Sequence, residues 1–132
     1  MKYSQQGNLK HSTTSVHNYI QDLHRNGGQF FLILLGSDVV GTLTIREFKN
    51  RIFNLGIMVY ESNNNSQVAT EAIRVAINRL RSNNASEVHM GTHVANMAMR
   101  RVIEKLGFQL FEEAPAVLDK DKIFFVKSLL DE

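Results

Sequence analysis

The chain contains no cysteine. Disulfide bonds, thiolate nucleophiles and cysteine-based zinc sites are therefore excluded. It contains one proline in 132 residues, Pro115. No apolar run reaches the roughly 18 residues of a membrane span, so no membrane partner is expected. Charge of one sign is scarce as well: 15 Lys and Arg against 13 Asp and Glu leave a net +2. That is too little to make nucleic acid the expected partner, although a pI near 9.0 favours acidic ligands mildly. Residues 1–10 are polar and lack the apolar segment of a signal peptide, which makes a cytoplasmic location the expectation. What is present is a 43% hydrophobic content, ordinary for a globular protein. The length suits one domain over 1–132, with 1–14 read as a polar arm.

Periodicity predicts the order of elements. Ser15 is placed to cap a helix carrying Val16, Tyr19, Ile20 and Leu23 on one stripe, stopped by Asn26-Gly27-Gly28. Phe30 to Leu35 is a continuous apolar run, which predicts a strand buried on both faces. Gly36-Ser37-Asp38 is a hairpin turn, Val39 to Arg46 the returning strand, and Ile52 to Tyr60 a third strand. Gly56 inside that strand signals a bulge or a close backbone approach. Later come a strand from Val88 to His93, a helix opened by Ala95-Asn96 and ended by Gly107, and strands at 108–111 and 123–129. The sum is an α/β (α+β) fold with a mixed, mostly antiparallel sheet and helices packed on both faces.

The stretch from Glu61 to Ser82 carries the first functional signal. A polar loop, Ser62 to Ser66, leads into a helix starting near Gln67. Its Ala69, Ile73, Ala76, Ile77 and Leu80 recur at helical spacing, so one face is buried. A strand running through a short loop into a buried helix leaves free N–H groups and the positive end of the helix dipole over the loop. That is a seat for an anion, typically a phosphate. The loop has no glycine, and an ordinary helix start would look the same.

Two segments resemble a known family. Asn96-Met97-Ala98-Met99-Arg100-Arg101-Val102-Ile103-Glu104-Lys105-Leu106-Gly107-Phe108 resembles the Asn-x-x-(Ser or Met)-x-x-hydrophobic-x-Glu-Lys-x-Gly-Phe segment of the GNAT N-acetyltransferase superfamily. Ala69-Thr70-Glu71-Ala72 resembles its ribosomal-protein N-terminal acetyltransferase branch. Val40-Gly41-Thr42, read as a turn between two strands, is similar to the family's Ile-Gly-Thr. The resemblance implies a GNAT-like sheet with a central pair of parallel strands that splay apart, and acetyl-CoA as cosubstrate with no metal. It implies that the CoA arm pairs with the backbone of Met58 to Tyr60, with oxyanion-stabilising N–H groups near Met58 and Val59. The pyrophosphate would rest on Asn64, Gln67, Val68, Ala69 and Thr70, and Asn96 would bond the CoA arm. The implied reaction is acetyl transfer to a primary amine by direct attack, with the acceptor unidentified.

The sequence departs from the family at chosen points. Gln67 stands where the family has a loop glycine, Asn54 where that branch has a carboxylate, and Ile103 where many members have a tyrosine. These departures support a second expectation, a non-catalytic acyl-CoA-binding or protein-interaction module on the same fold. The family's first strand and helix are missing or compressed into 1–10, which suggests pairing with a second copy. Glu61 and His93 are the candidate bases, Glu61 after the third strand and His93 at the end of the fourth. Each also reads as a solvated surface group. His89 and His93 lie about 13 Å apart along one strand face at ~3.3 Å per residue, too far to share a metal ion. Asn96 reads equally as a helix cap.

Overall fold

The apolar run ending at Leu35 becomes a strand because a two-residue turn sends the chain straight back along it. In the computed structural model, which describes residues 28–60, 65–111 and 121–130, β1 (Gly28–Leu35) pairs antiparallel with β2 (Asp38–Lys49). Gly36 supplies the turn with φ 66°, a left-handed conformation open to glycine without steric cost. The next turn uses Arg51, also left-handed at φ 65°. Its N–H donates to Glu47 Oε2 at 2.8 Å. β3 (Ile52–Val59) then completes an antiparallel meander.

The helix α1 (Asn65–Ser82) crosses over and delivers β4 (Glu87–His93) parallel to β3. After α2 (Met97–Lys105) come the short β5 (Gln109–Leu110) and β6 (Lys122–Ser128). The six strands lie in the order β1-β2-β3-β4-β6-β5. Among the described residues only the β3–β4 pair is parallel. This is the expected mixed sheet. The helix expected after Ser15 and the arm at 1–14 lie outside the described residues. Both described helices cover the same face of the sheet.

That face holds the core. Ala69, Ile73, Ala76, Ile77 and Leu80 of α1 are all at most 5% exposed, as their spacing predicts. They meet Leu43, Ile45 and Leu55 from the meander, Val88 and Met90 of β4, and Phe125 of β6. Val102 and Ile103 bring α2 into the same cluster. Burying a side chain of this size stabilises the fold by roughly 1.5–3 kcal/mol relative to leaving it in water.

Three expectations are corrected. β1 is not buried on both faces: Leu32, Leu34 and Leu35 are 51–59% exposed. It is an edge strand with β2 as its one ladder partner among the described residues, and an unbroken apolar run does not distinguish an edge from a centre. Val40-Gly41-Thr42 is not a turn but part of β2, where Gly41 pairs with Val59. A Cβ at Gly41 would sit 2.4 Å from the Met58 carbonyl oxygen, so its lack of side chain lets two strands close. Gly56 makes no bulge either. It stays in register opposite Thr44, whose Oγ1 lies 2.7 Å from where a Cβ would be.

Candidate functional site

The parallel pair opens into a fork. β3 and β4 share only the rungs Ile52↔Glu87, Phe53↔Val88 and Asn54↔His89. Beyond them each arm keeps its outer neighbour, Leu55 to Val59 along β2 and Met90 to His93 along β6. The inner backbone edges of the two arms therefore have no ladder partner across the gap. The crotch is tied together from below. Ser86 N–H and Oγ both donate to the Arg51 carbonyl, at 2.8 and 3.0 Å, and Arg51 Nε donates to the Asn84 carbonyl at 2.8 Å. At the mouth, Tyr60 N–H donates to the Val40 carbonyl at 2.8 Å.

α1 begins at Asn65, two residues earlier than periodicity suggests. The first four N–H groups of a helix have no partner within it, and here they belong to residues 65–68. No acidic residue occupies the first turn, so nothing there offsets the positive end of the helix dipole. Thr70 closes the turn by donating its hydroxyl to the Ser66 carbonyl at 2.7 Å. A concavity of about 560 Å³ lies between this turn and α2, lined by Ser66, Gln67, Thr70, Arg74, Arg101 and Lys105 among others. Its single carboxylate, Glu71, is engaged by Arg74 at 2.9 Å. A larger groove of about 670 Å³ on the other flank of α1 is walled by Leu32, Leu34, Leu35, Val68 and Val75. Its walls are mostly apolar, so the smaller concavity is the candidate for the expected anion seat.

The expected residues fall as follows. Met58 (59% exposed) and the half-buried Val59 end the β3 arm. Gln67 is exposed and Val68 half-buried at the helix start, whereas the side chain of Ala69 is only 1% exposed and belongs to the core. Asn96 caps α2, its Oδ1 accepting from Met99 N–H at 3.1 Å. His93 ends β4 exposed to solvent, with Nδ1 accepting from Ala95 N–H at 3.0 Å. Glu61 and Asn64 lie outside the described residues. Ile103 is 0% exposed and belongs to the core cluster. Among the described residues no cluster of side chains suits a metal ion, and no helix is long and apolar enough to cross a membrane.

Some site groups are hard to foresee. Lys105 lines the smaller concavity beside Arg101 because the two are one helical turn apart; that i,i+4 spacing was the available signal. Arg79, equally basic, is drawn away, stacking over the Phe31 ring at 5.2 Å. On the sheet face opposite the two described helices the register aligns Arg46, Asn54 and His89 in one transverse row at the crotch. The His89 ring stands between the edges of Phe48 and Phe111, at 5.4 and 5.0 Å. Its Nε2 lies 2.9 Å from Glu87 Oε1. The Nε of Arg46 is buried with no hydrogen-bond partner, a state that costs about 1–3 kcal/mol.

A mixed sheet forked between two parallel strands, with a helix N-terminus at the fork mouth, is the GNAT fold. The chain belongs to the acetyltransferase (GNAT) domain family, whose sequence profile matches residues 1–109. An acetyltransferase of the GNAT family from Staphylococcus aureus Mu50 superposes with a TM-score of 0.70 at 21% identity, over 86% of this chain and 75% of that one. The aminoglycoside 6'-N-acetyltransferase from Enterococcus faecium gives 0.70 at 12% identity, over 87% and 80%. Mycobacterium smegmatis RimJ in complex with CoA-disulfide gives 0.71 at 20% identity, over 89% and 61%. At these identities the likeness is one of fold. No curated protein matches the chain by sequence.

Proposed function

We propose that the protein is an acyl-CoA-dependent N-acyltransferase that moves an acetyl group from acetyl-CoA to a primary amine by direct attack. The observation that carries this reading is the fork with its unpaired inner edges, set beside a helix start free of acidic residues and flanked by Arg74, Arg101 and Lys105. The donor set suits the ligand. Free N–H groups and guanidinium and ammonium groups match phosphate oxygens, and an unpaired strand edge matches the amides of a pantetheine arm. When bound, acetyl-CoA supplies the activated thioester. In this reading the N–H groups of residues 65–68 and Thr70 hold the pyrophosphate, and Asn96 adds a contact to the arm while capping α2. The inner edge at Met58 and Val59 stabilises the oxyanion. His93, at the fork mouth, and Glu61 are the groups placed in sequence to take the amine proton.

One set of observations favours a second reading, an acyl-CoA-binding module without turnover. Asn54 carries no carboxylate, Ile103 is sealed in the core, and His93 Nδ1 is already occupied. Calorimetry with acetyl-CoA and thioester consumption over a panel of primary amines separate the two. Acyltransfer predicts binding and consumption; binding alone selects the module; no binding at millimolar acetyl-CoA overturns both. Gln67→Gly removes the side chain from the anion seat and is expected to tighten acetyl-CoA several-fold. An unchanged or weaker affinity would count against the placement of the pyrophosphate.

A further inference from the structure

We infer that His93 donates a hydrogen bond through Nε2–H to the acyl oxygen of the bound thioester, and is not the acceptor of the amine proton. This rests on the acyltransfer reading above and assigns one of its two candidate bases a different part.

A short loop fixes the ring. β4 ends at His93 and α2 begins at Met97. Between them, Ala95 N–H donates to His93 Nδ1 at 3.0 Å, and Asn96 N–H donates to the His93 carbonyl at 2.9 Å. The loop is anchored on both sides. Val94 N–H donates to the Asp121 carbonyl at 2.7 Å, and Arg100 Nη1 donates to the Val94 carbonyl at 2.9 Å. A backbone N–H can only donate, so Nδ1 must offer its lone pair. A neutral imidazole holds one ring proton, which therefore sits on Nε2. The free end of the ring is a donor. The other nitrogen takes a proton only by giving up Ala95.

The residue is exposed, and Nε2 has no partner among the described residues. Its ladder neighbour on β6 is Lys122, whose ammonium has no lone pair to accept that proton. Register then sets His93 beside the reacting group. The last rung joins Asn54 to His89. Four residues further along each arm stand Met58 on β3 and His93 on β4, both about 13 Å above the rung at ~3.3 Å per residue. The two lie at one height on opposite sides of the gap. The acyl oxygen that the Met58 and Val59 edge receives is thus met from the other arm by Nε2–H. Donors fixed in advance at such an oxygen stabilise the charge that develops on it. In the transfer the amine nitrogen bonds to the acyl carbon, and the carbonyl pair moves onto the oxygen between these donors. The pair returns as the C–S bond breaks. The departing sulfur keeps the bonding pair and receives the amine proton, giving amide and CoA thiol.

The test combines ring NMR with three variants of the full chain. In protein labelled with 15N at histidine, at about pH 8.5 where an ordinary imidazole is neutral, His93 is expected to carry its proton on Nε2. Adding acetyl-CoA without amine is expected to shift the Nε2–H proton downfield. A proton on Nδ1, or an Nε2–H signal indifferent to saturating acetyl-CoA, overturns the inference. His93→Asn keeps an oxygen for Ala95 N–H but has no donor at the Nε2 position. It is expected to keep the Tm of the wild type and to bind acetyl-CoA about three- to tenfold more weakly. Its thioester consumption should fall by about 10²–10³. His93→Gln returns an N–H near the Nε2 position and no base. It is expected to recover most of that loss, whereas His93→Ala recovers none. Wild-type affinity in His93→Asn, or His93→Gln as impaired as His93→Ala, overturns the donor role. Because NMR and affinity are read without turnover, a lack of thioester consumption in the wild type overturns the acyltransfer reading separately.

Discussion

Asn54 faces His89 across the last rung of the parallel ladder. Below this pair the two strands are joined; above it they part, each held by its own antiparallel neighbour. The opening is therefore held on its outer sides and leaves its inner edges for a ligand. Gly41 keeps the β3 arm in place from the outside, because the Met58 carbonyl approaches it to a distance no side chain would allow.

Gly41→Ala is accordingly expected to harm both stability and binding. The new methyl meets backbone rather than a yielding side chain, so the strand must move. A loss of about 1–3 kcal/mol is expected, read by urea denaturation, together with weaker acetyl-CoA binding by calorimetry. Unchanged affinity in the folded variant would show that Met58 does not position the ligand.

Asn96 has a measurable structural task. Asn96→Ala removes the acceptor for Met99 N–H and should cost about 1 kcal/mol, seen as a drop in Tm of several degrees. Asn96→Asp keeps a capping oxygen while removing the amide donor. If the side chain also donates to the CoA arm, Asn96→Asp retains the Tm of the wild type and binds acetyl-CoA more weakly. Equal affinity of Asn96→Asp and wild type limits the residue to capping.

Ile103 separates core from chemistry. It is 0% exposed, so Ile103→Ala should destabilise by about 2–5 kcal/mol. Ile103→Tyr overfills the same space and needs a partner for its hydroxyl. It is expected to lower Tm and to leave thioester consumption no faster than in the wild type. Faster turnover would place position 103 at the reacting sulfur.

The helices were legible in the sequence because their signals are local. The spacing of Ala69, Ile73, Ala76, Ile77 and Leu80 fixes the buried face of α1, Asn96 and Gly107 mark the ends of α2, and Gly36 marks the first turn. The strands were legible as elements but not in their surroundings. The same apolar letters from Phe30 to Leu35 serve a central or an edge strand, and sheet order is decided by residues far away. Gly56 gave a true signal of close approach: the Thr44 hydroxyl lies 2.7 Å from where its Cβ would be. The expected seat at Gln67 to Thr70 does fall in the first turns of α1. The basic wall of the neighbouring concavity at Arg101 and Lys105 follows from their i,i+4 spacing on α2, whereas the row of Arg46, Asn54 and His89 comes from pairing register, which sequence periodicity does not encode.

The short ladder at the crotch has a mechanical consequence. The sheet is two three-stranded sheets, β1-β2-β3 and β4-β6-β5, riveted by three rungs and by the α1 crossover. A ligand lying in the fork with its amides against both arms would add the rungs that the chain omits. It would act as a seventh, removable strand, and its binding energy would appear directly as cohesion between the halves. At 100 times its dissociation constant such a ligand adds about 2.7 kcal/mol to the stability of the folded state.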